Sequence, residues 1–355
     1  MTVKKKRRRL NGRFVALLAA VILVCLSLYK VPHFINTNRL LDLGYSEEAV
    51  KAIYRKGLRS VILKNSYYSD YLDQEIVKDD FNRKYLRLYL VCDYLDNDYF
   101  ELYENLKERK EYTDDELEAL YGKLKIHDLR PLLIFDKLED IDAYTEDCLA
   151  HPENSDTVFE VNGDYLHPYE NYVEAKGPGS VIVYVSPKSS IGNYEPQYLV
   201  EINSENAIPG VMLESRALSA YYDLCKAIRQ EDLDMAIYAV GGYISYEEQK
   251  ILHMQDETQL KEGFADTQTG MGVFVTNEES SSFKDTRVYS WLLDNAYRYG
   301  FIQRYPEGKE ALTGHRAVPN YFRFVGPELA EKVHESGLCF DEYYYYHPED
   351  WELLD

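Results

Sequence analysis

Metal and acid–base chemistry draws on histidine, cysteine and carboxylate side chains, and this chain offers few groupings of them. His253, Asp266 and His315 could bring two imidazoles and a carboxylate to a zinc ion, which accepts such nitrogen and oxygen donors. Eight histidines scattered over 355 residues are as a rule surface or core residues, so this trio stands as an alternative and not as the expectation. Cysteine is equally thin: Cys25, Cys92, Cys148, Cys225 and Cys339 form no CxxC pair. Neither a zinc knuckle nor a redox motif is indicated, and buried free thiols are expected. The 34 tyrosines could stack on sugar rings. Tyr67, Tyr68, Tyr71, Tyr85, Tyr89, Tyr94, Tyr99 and Tyr103 recur at helical spacing, which suits helix packing with the hydroxyl at the surface.

The elements that would carry these groups divide the chain into two patterns. Residues 40–150 read as helical, with Leu40, Leu41, Leu43, Ala49, Val50 and Ile53 on a helical stripe and Ser46 as N-cap before two acids. Tyr45-Ser-Glu-Glu-Ala-Val-Lys-Ala-Ile53 recurs loosely as Tyr112-Thr-Asp-Asp-Glu-Leu-Glu-Ala-Leu120, which suggests stacked helix-turn-helix repeats. From residue 156 the reading is α+β. Thr157–Val161, Ser180–Ser186 and Met235–Val240 read as strands. Glu214–Ile228, Val288–Tyr299 and Glu328–Glu335 read as helices, the second stopped by Gly300.

The N-terminus carries Lys4, Lys5, Lys6, Arg7, Arg8, Arg9 and Arg13, then an apolar run from Phe14 to Tyr29. A basic flank stays in the cytoplasm and sends the rest of the chain across the membrane. Residues 1–13 therefore read as a cytoplasmic tail and 14–31 as an uncleaved transmembrane anchor, with the remainder extracytoplasmic. A cleaved signal peptide lacks its small-residue site, and lipidation at Cys25 is opposed by the bulky Leu23-Val24 before it. The formal net charge is −21, and setting aside the seven cations leaves −28 (−21 minus 7). Such a surface repels phosphate backbones, which argues against nucleic acid as a partner.

One segment places the chain among known sequences. Trp291-Leu-Leu-Asp-Asn-Ala-Tyr-Arg-Tyr-Gly-Phe-Ile-Gln-Arg-Tyr-Pro-Glu-Gly-Lys-Glu310 resembles a signature of the VanY-type D-alanyl-D-alanine carboxypeptidases, zinc enzymes that trim the stem peptides of bacterial cell wall. The resemblance covers residues 157–346, with Val161-Asn-Gly-Asp-Tyr165 and Tyr194-Glu-Pro-Gln-Tyr-Leu-Val-Glu-Ile202 as further landmarks. It implies a VanY-like core over 156–355, a small antiparallel sheet flanked by helices.

At the positions that carry the family's chemistry the sequence departs. Gly241-Gly-Tyr-Ile-Ser245 stands where the family has Ser-Gly-Tyr-Arg-Ser, so Ile244 replaces the arginine that grips the substrate carboxylate with a bidentate fork. Ala265-Asp-Thr-Gln-Thr-Gly-Met-Gly-Val-Phe274 stands against Ser-x-His-Gln-Thr-Gly-x-Ala-x-Asp, which puts Thr267 and Phe274 at two zinc-ligand positions. Val318-Pro-Asn-Tyr-Phe-Arg-Phe-Val-Gly326 stands against Glu-Pro-Trp-His-Tyr-Arg-Tyr-Val-Gly, which puts Val318 at the general base and Tyr321 at the third ligand. Threonine and a tyrosine near pKa 10 are poor ligands, phenylalanine is none, and valine cannot take a proton.

The expectation is thus a VanY-like protein with no catalytic residue and no zinc, anchored by a single pass in the cell membrane of a Gram-positive-type bacterium. It would bind or scaffold, on wall peptides or on a cell-wall enzyme. An active carboxypeptidase with relocated ligands and an interaction protein working through its helical half are the alternatives. Tyr243, Ser245, Gln268 and Arg323 are the remaining candidates for ligand contact, and the cleft lined by Ile244, Phe274, Val318 and Tyr321 is expected to be apolar, dry and filled by its own side chains.

Overall fold

The computed structural model describes residues 21, 30–150, 165–232, 236–277 and 282–354. The basic tail, all of the expected anchor 14–31 except Val21, Lys30 and Val31, and the expected strand at 157–161 lie outside the described residues. Among the described residues no helix is long and apolar enough to cross a membrane. Two compact units emerge: the chain up to Glu101 with Leu117–Gly122, and Leu102–Glu116 with the chain from Lys123 onward.

The first unit is helical. Ser46 caps α1 (Glu47–Arg55), its Oγ accepting from the Ala49 amide at 3.2 Å, and Glu47 and Glu48 oppose the helix dipole. Then come α2 (Arg59–Asn65), α3 (Asp70–Glu75) and α4 (Leu88–Val91). Tyrosines here pack: Tyr85 stacks on Phe100 with centroids 4.3 Å apart, and Tyr89 and Tyr99 are buried, whereas Tyr94 is exposed. Helices α5 (Asn97–Arg109) and α6 (Asp114–Tyr121) each cross the division between units. Thr113 and Glu116 exchange the reciprocal bonds of a capping box at the start of α6. The two sequence copies therefore share the hydroxyl cap on the amide three residues on, and only the second closes a capping box.

The second unit is mixed. Short helices α7 (Ile126–Leu129) and α8 (Ile141–Ala150) lead into small two-stranded pairings, β1 (Val173–Glu174) with β2 (Ser189–Ser190) and β3 (Leu199–Glu201) with β4 (Met212–Glu214). Helix α9 (Ser215–Glu231) follows, then β5 (Tyr238–Gly241), α10 (Tyr246–Gln255), β6 (Gly272–Thr276), α11 (Arg287–Asn295), β7 (Phe301–Gln303), α12 (Glu310–Thr313), β8 (Tyr321–Phe324), α13 (Pro327–Ser336) and α14 (Phe340–Tyr346). The main sheet has the order β5-β6-β8-β7 and every pairing is antiparallel.

Side chains alternate across that sheet. Ala239, Val273, Val275, Phe322 and Phe324 point to one face and pack on Ala217, Leu218, Tyr221, Leu224, Cys225 and Ile228, the apolar stripe of α9. Gly272, Phe274, Tyr321 and Arg323 share the other face by the same alternation, with Gly272 opposite Arg323 and Phe274 opposite Tyr321 in register. The helix expected over 288–299 is α11 followed by a tighter turn over Ala296–Tyr299, and Gly300 at φ 81° ends it.

One expected strand is not a strand. Val183 and Val185 are buried, yet Ser180–Ser186 joins no sheet and makes only an isolated bridge at Ser186. Its carbonyls are taken by side chains. Arg323 Nη2 donates to Val181 O and Val183 O at 3.1 Å, Arg304 Nη2 to Val185 O at 2.8 Å, and Trp351 Nε1 to Ile182 O at 2.6 Å. Backbone acceptors in a buried segment must be satisfied, and here guanidinium and indole donors replace a neighbouring strand.

Candidate functional site

The five positions where the family carries its chemistry converge. Ile244, Thr267, Phe274, Val318 and Tyr321 all line one cavity of about 100 Å³ on the Phe274 face of the sheet. Each arrives by a different element. Ile244 precedes the Ser245 cap of α10, and Thr267 sits in the tight turn Asp266–Thr269 that Gly270 ends at φ 69°. Phe274 and Tyr321 are cross-strand partners on β6 and β8, their rings 4.5 Å apart. Val318 is held in the turn before β8, its amide donating to Tyr305 O at 2.9 Å.

The lining is not purely apolar, which amends the expectation. Asp266, Thr267, His315 and Arg316 contribute polar groups. Asp266 is 1% exposed, and its Oδ2 accepts from Tyr321 Oη at 2.9 Å. Its Oδ1 lies 3.3 Å from Arg323 Nε and 3.8 Å from Arg304 Nε, ion-pair distances without a well-directed hydrogen bond. Arg304 turns its fork to Asp341, with Nη2 at 3.2 Å from Oδ1, and Tyr184 Oη donates to the same oxygen at 2.8 Å. Two fully buried guanidinium groups thus face two buried carboxylates, which balances the charge. Burial and the Asp266 charge together push the Tyr321 phenol well above its ordinary range. Burial lowers His315 to about 4, and its Nδ1 lies 2.8 Å from Arg316 O, so the ring is neutral at pH 7.

These residues do not fit a zinc ion. Thr267 Oγ1 is a neutral hydroxyl, Phe274 offers carbon, and the Tyr321 phenol is held protonated and bonded to Asp266. The one carboxylate of the cavity already faces two guanidinium groups. Of the relocated trio, Asp266 and His315 line the cavity. His253 does not, and its Nδ1 lies 2.7 Å from Gln259 O. Among the described residues no group of three or more histidine, cysteine or acidic side chains could hold a metal ion.

Three of the four candidate contact residues are engaged elsewhere. Gln268 is fully buried, accepting from the Gly263 amide at 2.9 Å and donating to Gly192 O at 2.8 Å. Arg323 donates to Thr269 Oγ1 at 2.9 Å as well as to the carbonyls at 181 and 183. Ser245 closes a capping box with Glu248, and Tyr243 is half-buried outside the cavity lining. Sequence reasoning missed Arg304 and Asp341 as members of the buried network, because they lie 37 residues apart and only the fold joins them.

Comparison with known proteins adds the lineage. Residues 210–327 match the profile of the family described as "VanY: D-alanyl-D-alanine carboxypeptidase". The chain is 31% identical over 189 residues to "Putative carboxypeptidase YodJ" of Bacillus subtilis (strain 168), covering 48% of this chain and 68% of that protein. It is 36% identical over 118 residues to a D-alanyl-D-alanine carboxypeptidase of Enterococcus faecalis, covering 32% of this chain and 42% of that one. Among solved structures, the LdcB LD-carboxypeptidase aligns at 28% identity with a TM-score of 0.44, covering 49% of this chain and 90% of that chain. A zinc-bound VanY D,D-pentapeptidase variant aligns at 27% identity with a TM-score of 0.41, covering 46% and 98%.

Proposed function

The chain belongs to the VanY family of D-alanyl-D-alanine carboxypeptidases, and on that premise we propose that it is a non-catalytic member. It is held to the membrane by its N-terminal segment, faces the cell wall, and acts in peptidoglycan metabolism as a scaffold or binding protein. One observation carries this reading: the positions for the carboxylate-gripping arginine, the metal ligands and the base meet in one cavity, and none holds a group suited to its family role. Without suitable donors a metal cannot lower the pKa of a bound water towards 7, and without a base nothing receives its proton.

Size favours scaffolding over a peptide held in the cavity. Small-molecule pockets run from about 300 to 1,000 Å³, and this one has about 100 Å³. A second reading, hydrolysis through relocated ligands, draws on Asp266 and His315 lining the same space. It is opposed by the guanidinium groups beside Asp266, whose charge repels a cation. The test is incubation of the purified full-length chain with zinc and a stem pentapeptide ending in D-alanyl-D-alanine. The non-catalytic reading expects no released D-alanine above the blank; turnover abolished by a chelator contradicts it.

A further inference from the structure

Two glycines stand beside Phe274 and Tyr321 of the cavity lining. A Cβ added at Gly272 would lie 1.9 Å from Tyr321 Oη, 2.3 Å from its Cζ and 2.8 Å from its Cε2. A Cβ at Gly241 would lie 3.0 Å from Phe274 Cδ2, and Gly241 is the register partner of Phe274. Neither glycine is among the positive-φ residues, so backbone freedom does not explain them. Space does. The family pattern has alanine at position 272 and serine at 241, and it has aspartate and histidine, both smaller, where Phe274 and Tyr321 now stand.

We propose that Gly241, Gly272, Phe274 and Tyr321 are one co-adapted packing unit. Two lost Cβ atoms admit two aromatic rings, and these close the centre with protein instead of metal. Gly272 lets the phenol lie flat over β6, and from there its hydroxyl reaches Asp266. Phe274 then stands in one row across the sheet, between Gly241 on β5 and Tyr321 on β8. Glycine inside a strand costs stability through its entropy and its missing contacts. That cost is offset here by burial of a whole aromatic side chain.

The inference deepens the non-catalytic reading and rests on the same cavity, but it has its own test. Gly272→Ala is introduced into the full-length chain in three backgrounds: native, Tyr321→His and Tyr321→Ala. Urea and thermal unfolding are then followed. In an ordinary strand this substitution is neutral or stabilising. Here it is expected to lower the unfolding midpoint by roughly 5 °C or more with Tyr321 present, the size of an overpacking defect. In both substituted backgrounds it should be neutral or raise the midpoint. If Gly272→Ala alone fails to fold, recovery of folding in either double variant supports the proposal. An equal shift in all three backgrounds overturns it, as does a harmless Gly272→Ala with Tyr321 present. Zinc content and hydrolysis of the native chain report on the non-catalytic reading and leave this cycle unaffected.

Discussion

Tyr321 Oη donates to Asp266 Oδ2 at 2.9 Å, so the residue at one family ligand position is bonded to the neighbour of another, Thr267. This bond joins β8 to the turn Asp266–Thr269, and both partners are buried. Tyr321→Phe keeps the ring over Gly272 and removes only the donor, leaving a buried carboxylate oxygen short of a partner. The expected loss is about 1–3 kcal/mol in urea unfolding at neutral pH. No change in midpoint would mean that the bond adds nothing to the turn.

His315 sets a pH dependence. Its folded value of about 4 lies below the ordinary 6.5, because burial disfavours the charged ring. Between those values the unfolded chain binds the proton and the folded chain does not, so stability rises with pH. The contribution is fully present above pH 6.5 and is lost as pH falls towards 4. His315→Gln should flatten the native stability profile across that window by up to about 3 kcal/mol. Parallel profiles for the two proteins would contradict the assignment.

Breaking the buried charge network should be costly. Arg304 and Asp341 are both fully buried, with Arg304 Nη2 3.2 Å from Asp341 Oδ1. Asp341→Asn removes the nearer of the two carboxylates around Arg304, leaving Asp266 at 3.8 Å, and is expected to cost about 3–5 kcal/mol. Arg304→Lys should fail to restore it, since an ammonium cannot reach Asp341 and Val185 O with one planar fork. Equal stability of Arg304→Lys and the native chain in thermal unfolding would sink that account.

The buried thiols should be inert. Burial raises Cys148 to about 12 and Cys225 to about 11, which leaves almost no thiolate at neutral pH. A variant that keeps only these two cysteines should react with a thiol reagent at the denatured rate only after urea is added. Rapid labelling in native buffer would show that the core around them opens.

How much of this was legible in the sequence depends on the range of the forces involved. The α9 stripe of Ala217, Leu218, Tyr221, Leu224, Cys225 and Ile228 was readable because helical periodicity is local, and the same holds for the Ser46 cap and the Gly300 stop. The meeting of Ile244, Thr267, Phe274, Val318 and Tyr321 was readable only through the family pattern. Ser180–Ser186 misled, since its apolar, β-branched pattern suits a strand while its carbonyl partners are Arg323, Arg304 and Trp351, far along the chain. The fit of the Tyr321 ring over Gly272 is a matter of fractions of an ångström between two strands, which no periodicity encodes. Gln268 looked like a ligand contact because it is polar inside a motif, but its amide is spent on Gly263 and Gly192.

On the reading proposed above, Phe274 and Tyr321 fill the centre of this VanY-family chain and leave no place for a catalytic metal. The most direct measurement is the zinc content of the purified full-length chain after equilibration with excess zinc and dialysis against metal-free buffer. Far less than one equivalent per chain is expected, with an unfolding midpoint that neither zinc nor a chelator moves. A full equivalent of zinc, removed by a chelator with a fall in that midpoint, would contradict it.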